Sequence, residues 1–300
     1  MSTTIQTAYL APIGLENELK RELKDVTHVF GRLILAQGPA QQVYWAQNIW
    51  HDPVFLPIAS IGDAAKALRS IQRNWWPYHF EHHRRMKLIQ EKLPHLAPKP
   101  LAFLAPAPTS PMGSWTLTDE NTLLYASQCS SPMPNGEWNF QEDKENPPSR
   151  AYLKLWELFT RTGVYPKKTD VCLDLGASPG GWTWVLSQLS KKVYAFDRSP
   201  LEDTVTNLRN VEFKAQDAFK VDPAQFPQAT WILSDVVCYP DKLFDHISSL
   251  LLRFPDKNYV FSVKFQGSDH QEMISRFAGL PGHLIHLCNN KHELTWYKFN

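Results

Sequence analysis

The chain has 300 residues, 43% of them hydrophobic, and 31 Lys and Arg against 30 Asp and Glu give a formal net charge of +1. Near-neutrality excludes a polyanion-binding surface spread over the whole protein, so any nucleic-acid contact has to be a local patch. Cys129, Cys172, Cys238 and Cys288 form no C-x-x-C pair, which argues against a zinc site or a disulfide framework. Residues 1–10 lack a basic stretch followed by a long apolar run, and no apolar run elsewhere reaches membrane-spanning length. The expectation is a cytoplasmic protein of two domains, without membrane association and without a metal site.

Along the chain, residues 4–10 read as a strand and residues 15–23, with Leu15, Leu19 and Leu23 at four-residue spacing, as a helix. Short strand-like pieces follow at 29–36 and 42–46, and a longer helical stretch starts near Ile61-Gly62-Asp63, where Asp63 is placed to cap residues 64–73. Residues 73–87 interleave Trp75, Trp76, Tyr78 and Phe80 with Arg73, Arg84, Arg85 and Lys87. That mixture suits stacking on unpaired RNA bases with cations on the phosphates. It equally suits an amphipathic helix whose aromatics face a core. Residues 94–111 are rich in proline and alanine, with a strand-like piece at 101–104, and residues 116–128 read as a hairpin about Asp119-Glu120-Asn121. Residues 129–148 are polar and turn-rich, a linker or substrate-facing loop between an N-terminal α+β domain (1–128) and a second domain (149–300).

In the second domain helices at 150–162, 182–189, 241–253 and 271–278 alternate with strands at 171–175, 192–196, 211–214, 231–236 and 259–265. Two consecutive strands, 283–288 and 293–299, close the series. Such alternation predicts an α/β domain with a Rossmann-like, mostly parallel sheet that finishes in an antiparallel hairpin. The run from Val171 to Trp182 is its most telling part. A hydrophobic strand reaches Asp174 and turns through Gly176, Ser178, Pro179, Gly180 and Gly181 into a helix, a place where backbone and exposed amides can meet a cofactor. One glycine followed after three residues by a Gly-Gly pair, with Pro179 in the turn, is not G-x-G-x-x-G. The spacing points away from NAD and towards S-adenosylmethionine. Asp197 ends the next strand, where a carboxylate can accept both ribose hydroxyls.

With Asp174-Leu-Gly-Ala-Ser-Pro-Gly-Gly181-Trp182 as its signature, the stretch from about 145 to 300 resembles the FtsJ-like family of S-adenosylmethionine-dependent RNA 2′-O-ribose methyltransferases. Pro148-Ser149-Arg150-Ala-Tyr-Leu-Lys154-Leu and Tyr9-Leu-Ala-Pro-Ile-Gly14-Leu-Glu16 look like segments of those members that modify a cytidine ribose of 23S ribosomal RNA. The resemblance implies methyl transfer to an RNA ribose by a Lys-Asp-Lys-Glu tetrad at Lys154, Asp235, Lys264 and Glu293. It further implies cofactor contacts at Gly176, Ser178, Pro179, Gly180, Gly181, Asp197, Asp217 and Asp235. Asp217 would take the adenine amino group, unless it serves only as a helix N-cap. Ala151 departs from those 23S-modifying members, which have at this position a serine that resembles a cofactor contact.

Lys264 is the base that the resemblance implies. To act near neutrality its pKa must fall by roughly three units from about 10.4, a fall that burial and Lys154 favour and that Asp235 and Glu293 oppose. The alternative keeps Lys264 charged and lets it only position the ribose. A non-catalytic RNA-binding scaffold that retains the fold is the second functional reading.

Overall fold

The computed structural model describes residues 6–265 and 270–300. The chain divides into two units, one comprising Met1–Leu101 and Pro106–Asn139, the other Ala102–Ala105 and Phe140–Asn300. Their boundary lies within the turn-rich stretch 129–148.

The first unit holds β1 (Gln6–Leu10), α1 (Glu16–Glu22), β2 (Val26–Phe30), β3 (Leu33–Gln37), β4 (Asn48–His51), β5 (Val54–Pro57), α2 (Ile61–Ile71), β6 (Trp75–Pro77), α3 (His83–Gln90), β7 (Gly113–Asp119), β8 (Thr122–Ala126) and β9 (Gln128–Cys129). They form a five-stranded sheet in the order β2-β3-β1-β4-β9 and a four-stranded sheet in the order β5-β8-β7-β6. The first two residues of the strand expected at 4–10 lie outside the described residues.

Several local expectations are corrected here. The strand expected at 29–36 is broken into β2 and β3 at Gly31, whose φ of +58° and close approach to Phe80 and Tyr78 leave no room for a Cβ. Residues 42–46 are not a strand, because the amides of Tyr44 and Trp45 donate to the Glu22 carboxylate and not to a neighbouring strand. The helical stretch expected to start near residues 61–63 does so, at Ile61, but Asp63 is not its cap. Ser60 caps it, accepting from the Asp63 amide at 3.1 Å, while the Asp63 carboxylate accepts from the Ala59 amide at 3.0 Å. Residues 101–104 do not extend into a strand, since Leu104 takes a left-handed φ of +60°. In the 73–87 segment Trp75, Tyr78 and Met86 are buried in the unit's apolar clusters, whereas Arg73, Arg84 and Lys87 are exposed.

The second unit runs α4 (Tyr152–Thr162), β10 (Val171–Leu175), α5 (Gly181–Leu189), β11 (Lys192–Asp197), α6 (Asp203–Thr206), β12 (Val211–Ala215), β13 (Trp231–Ser234), α7 (Pro240–Arg253), β14 (Asn258–Lys264), α8 (Gln271–Ala278), β15 (His283–Ile285) and β16 (Glu293–Lys298). Its sheet has the order β12-β11-β10-β13-β14-β16-β15, parallel throughout except at β16, which runs against both neighbours. This is the expected α/β, Rossmann-like sheet with its terminal antiparallel pair. Every residue of β10 is buried, as a central strand covered on both faces requires. Because β16 is reversed, its first residue lies at the edge where the parallel strands end, and Glu293 pairs in register with Lys264. No helix among the described residues is long and apolar enough to cross a membrane.

Candidate active site

The carboxyl ends of β10, β11, β13 and β14 share one edge of the sheet, the position at which open α/β folds take ligands. Past β10 the chain turns at Gly176, whose φ is +79° and where a Cβ would sit 2.7 Å from the Val236 Cβ. Gly176 borders a cleft of about 380 Å³ whose walls include Asp197, Arg198, Asp217, Phe219 and Tyr239. Asp197 ties the two loops together, accepting from the Ser178 amide at 3.0 Å and the Ser199 amide at 2.9 Å. Asp217 has two engagements. One oxygen caps the short turn after it by accepting from the Phe219 amide at 3.0 Å, and the other lies 3.6 Å from Arg198.

The remaining members of the glycine turn are placed differently. Pro179 is exposed, and Gly180 and Gly181 are buried where a side chain would press on Val205 and the Ser149 hydroxyl. Of the turn, Gly176 is the residue that reaches the cleft, and the Gly-Gly pair lets α5 pack closely. Trp182 is core, its indole donating to the Ala151 carbonyl at 3.0 Å. Asp174 is buried, and Thr183 donates to it at 2.6 Å. Burial pushes its carboxyl up to about 7 against the Thr183 bond, with Asp235 and Asp197 adding to the rise.

Beside the cleft the four tetrad positions meet. Lys154 comes from α4, Asp235 follows β13, Lys264 ends β14 and Glu293 opens β16. The Lys154 Nζ donates to both oxygens of Asp235, at 3.0 and 3.1 Å, and pairs with Glu293 Oε1 at 2.5 Å. The Lys264 Nζ lies 3.0 Å from Asp235 Oδ1 and donates also to the Asp235 backbone carbonyl. Burial alone would lower the Lys154 pKa, but Asp235 and Glu293 outweigh it and hold the ammonium above its ordinary value. Burial likewise works to raise the Asp235 carboxyl, yet Lys154 and Lys264 keep it below the usual carboxylate range. The Lys264 side chain is the more open of the two, 20% exposed against 9% for Lys154. Two cations and two anions thus share a partly water-excluded edge, an arrangement able to orient a hydroxyl and to move its proton.

Arg198, Phe219, Tyr239 and Lys242 also line the cleft and have no counterpart among the residues singled out from sequence. Arg198 follows Asp197 directly and Tyr239 lies four residues after Asp235, so nearness to a strand end was the available signal. The stacking of Lys242 on Phe219, 3.8 Å from ammonium to ring centre, joins residues far apart in the chain and left no such trace.

Residues 147–274 match the FtsJ-like methyltransferase family model. The fold of the second unit is the S-adenosylmethionine-dependent methyltransferase fold, related to that family. Among curated relatives, the ribosomal RNA large subunit methyltransferase M of Halorhodospira halophila is 30% identical over 161 residues, covering 51% of this chain and 47% of that protein. Its namesake from Xanthomonas axonopodis pv. citri is 31% identical over 169 residues, covering 53% and 48%. The chain therefore spans about half the length of the curated relatives it matches. Among solved structures, a Lactococcus lactis protein carrying a hemolysin designation overlaps 51% of this chain and 88% of its own at 20% identity, with a TM-score of 0.39.

Proposed function

We propose that this chain transfers the methyl group of S-adenosylmethionine to a ribose 2′-hydroxyl of RNA, with large-subunit (23S) ribosomal RNA as the substrate. The observation that carries the reading is the Lys154-Asp235-Lys264-Glu293 cluster beside a cleft bordered by Gly176, Asp197 and Asp217. The activity named for the curated relatives supports the choice of RNA. The cleft suits the cofactor. Its floor at Gly176 admits no Cβ, and Asp197 and Asp217 present carboxylates for ribose hydroxyls and an adenine amino group. When bound, S-adenosylmethionine supplies a sulfonium-activated methyl group to an oxygen nucleophile.

The chain's own residues then have separable work. Lys154, held cationic between two carboxylates, fixes Asp235 and Glu293. Asp235 in turn engages Lys264 through its carboxylate and its carbonyl, which fixes the amine at the end of β14 where a substrate hydroxyl can be oriented and its proton taken. The exposed cations Arg84 and Lys87 of the first unit are suited to hold phosphates of the same RNA.

The test follows labelled methyl from S-adenosylmethionine into deproteinised total RNA of cells lacking this protein, with the modified nucleotide mapped. Label on a ribose 2′-oxygen is expected, and Lys264→Ala should lower its rate by about 10²- to 10⁴-fold while cofactor affinity is retained. Wild-type turnover in that variant would remove Lys264 from the chemistry. Cofactor binding with no label in any RNA would favour the scaffold reading.

A further inference from the structure

We infer that Glu157 is a positioning residue, holding the turn between β15 and β16 against α4 so that Glu293 meets Lys154. The inference rests on the reading of the tetrad as the reaction centre. Lys154, Glu157 and Arg161 stand at i, i+3 and i+7 of α4 and so form one stripe along the helix. At its head Lys154 pairs with Glu293 Oε1 at 2.5 Å.

One turn further on, Glu157 is 0% exposed and divides its two oxygens. Oε1 pairs with Arg161 Nη1 at 3.0 Å, and Oε2 accepts the backbone N–H of Cys288 at 2.7 Å. Arg161 Nη1 also reaches the His286 carbonyl at 3.4 Å. At the far side of the turn Asn290 Nδ2 donates to Thr295 Oγ1 at 3.1 Å. The segment that leads into Glu293 is thus fastened at 286 and 288 to the same helix that carries Lys154.

A carboxylate buried at 0% exposure, paired with an Arg161 side chain that is 33% exposed, is a poor way to gain stability, since an apolar residue of similar volume commonly serves as well. Apolar residues cannot, however, grip a backbone N–H at a set distance. Among the described residues Glu157 bonds neither Asp235 nor Lys264, and it reaches the cluster through the Cys288 N–H of the turn that leads into Glu293. Misplacement by about 1 Å can cost a reacting site on the order of 10²-fold.

The experiment is a double-variant cycle in the full chain, reading kcat and KM for RNA methylation together with S-adenosylmethionine affinity. Glu157→Ala should lower kcat about 30-fold, with KM and cofactor affinity within about 2-fold of wild type. Glu157→Gln, which keeps a carbonyl oxygen for the Cys288 N–H, should recover most of that loss. In a Glu293→Gln background Glu157→Ala should cost less than about 3-fold, because residues acting as one unit are not additive. If the alanine variant does not fold, Glu157→Gln is read in the same cycle, and its smaller loss should vanish in the Glu293→Gln background. Equal losses in both backgrounds, an unchanged kcat, or no recovery with glutamine would each overturn the inference while leaving the methyltransferase reading intact. Wild-type protein that binds cofactor but methylates no RNA would overturn that reading, and this inference with it.

Discussion

Two lysines share one aspartate in this site, and their other contacts assign them different work. Lys154 is enclosed by Asp235 and Glu293, whereas among the described residues Lys264 pairs with Asp235 and has more access to solvent. Lys264→Arg separates proton transfer from charge, because a guanidinium stays protonated and can still pair with Asp235. If Lys264 takes the hydroxyl proton, the arginine variant should be as slow as Lys264→Ala in the labelled-methyl assay. Activity within about 10-fold of wild type would instead make it a positioning cation. Asp174 offers a second test, through stability. With its carboxyl raised to about 7, the folded chain holds a proton that the unfolded chain releases near the ordinary carboxylate value. This contribution is fully present below pH 4 and is lost as pH rises to 7, with a slope of about −1.4 kcal/mol per pH unit. Glu22, buried and also raised to about 7, adds a slope of the same sign. Denaturant unfolding from pH 4.5 to 8 should therefore show Asp174→Asn flatter than wild type by one proton; parallel curves would refute the assignment.

Among the elements, the turn from β10 into α5 is the one whose geometry leaves least latitude. At Gly176 a methyl group would meet both a left-handed φ and the Val236 side chain at 2.7 Å. Gly176→Ala should lower unfolding free energy by about 1–3 kcal/mol, and, because Val236 also walls the cleft, weaken S-adenosylmethionine binding about 10-fold or more in calorimetry. Wild-type stability and affinity would contradict this account of the turn. The same turn shows what the sequence makes legible. The parallel strands announce themselves as short apolar runs ending in Asp197 or just before Asp235, since both faces are covered and the sequence need not alternate. Strands of four residues, such as β4 between β1 and β9 and β5 at a sheet edge, are too short to show a period and escape notice. The Ser60 cap is hidden behind the more conspicuous Asp63, which belongs to the same reciprocal pair of bonds. The tetrad positions are readable only by resemblance. Spacing says nothing of how residues 154, 235, 264 and 293 come together, which depends on strand order and on the reversal of β16.

At the scale of the whole molecule, a composition close to neutral hides a division of labour. Trp75 and Tyr78 of the 73–87 segment go to the core of the first unit and Trp76 and Phe80 are half-buried, so the exposed cations Arg84 and Lys87 are the residues on which the proposed RNA contact is tested. Charge reversal at Arg84 and Lys87 together should raise KM for RNA about 10-fold or more in moderate salt and flatten its salt dependence. Turnover at saturating RNA and cofactor affinity should not change; an unaltered KM would place the RNA contact elsewhere.

The ion cluster at the sheet edge bears on the same question from the other side. Its two ammonium groups and two carboxylates cancel, so seen from solvent the centre has almost no monopole, and what field remains fades within a short distance. Such a centre can sort hydroxyls that have already arrived, but it cannot draw a polyanion towards itself. On the proposed reading, encounter then falls to other cations, such as Arg84 and Lys87, and each task could be tuned without disturbing the other.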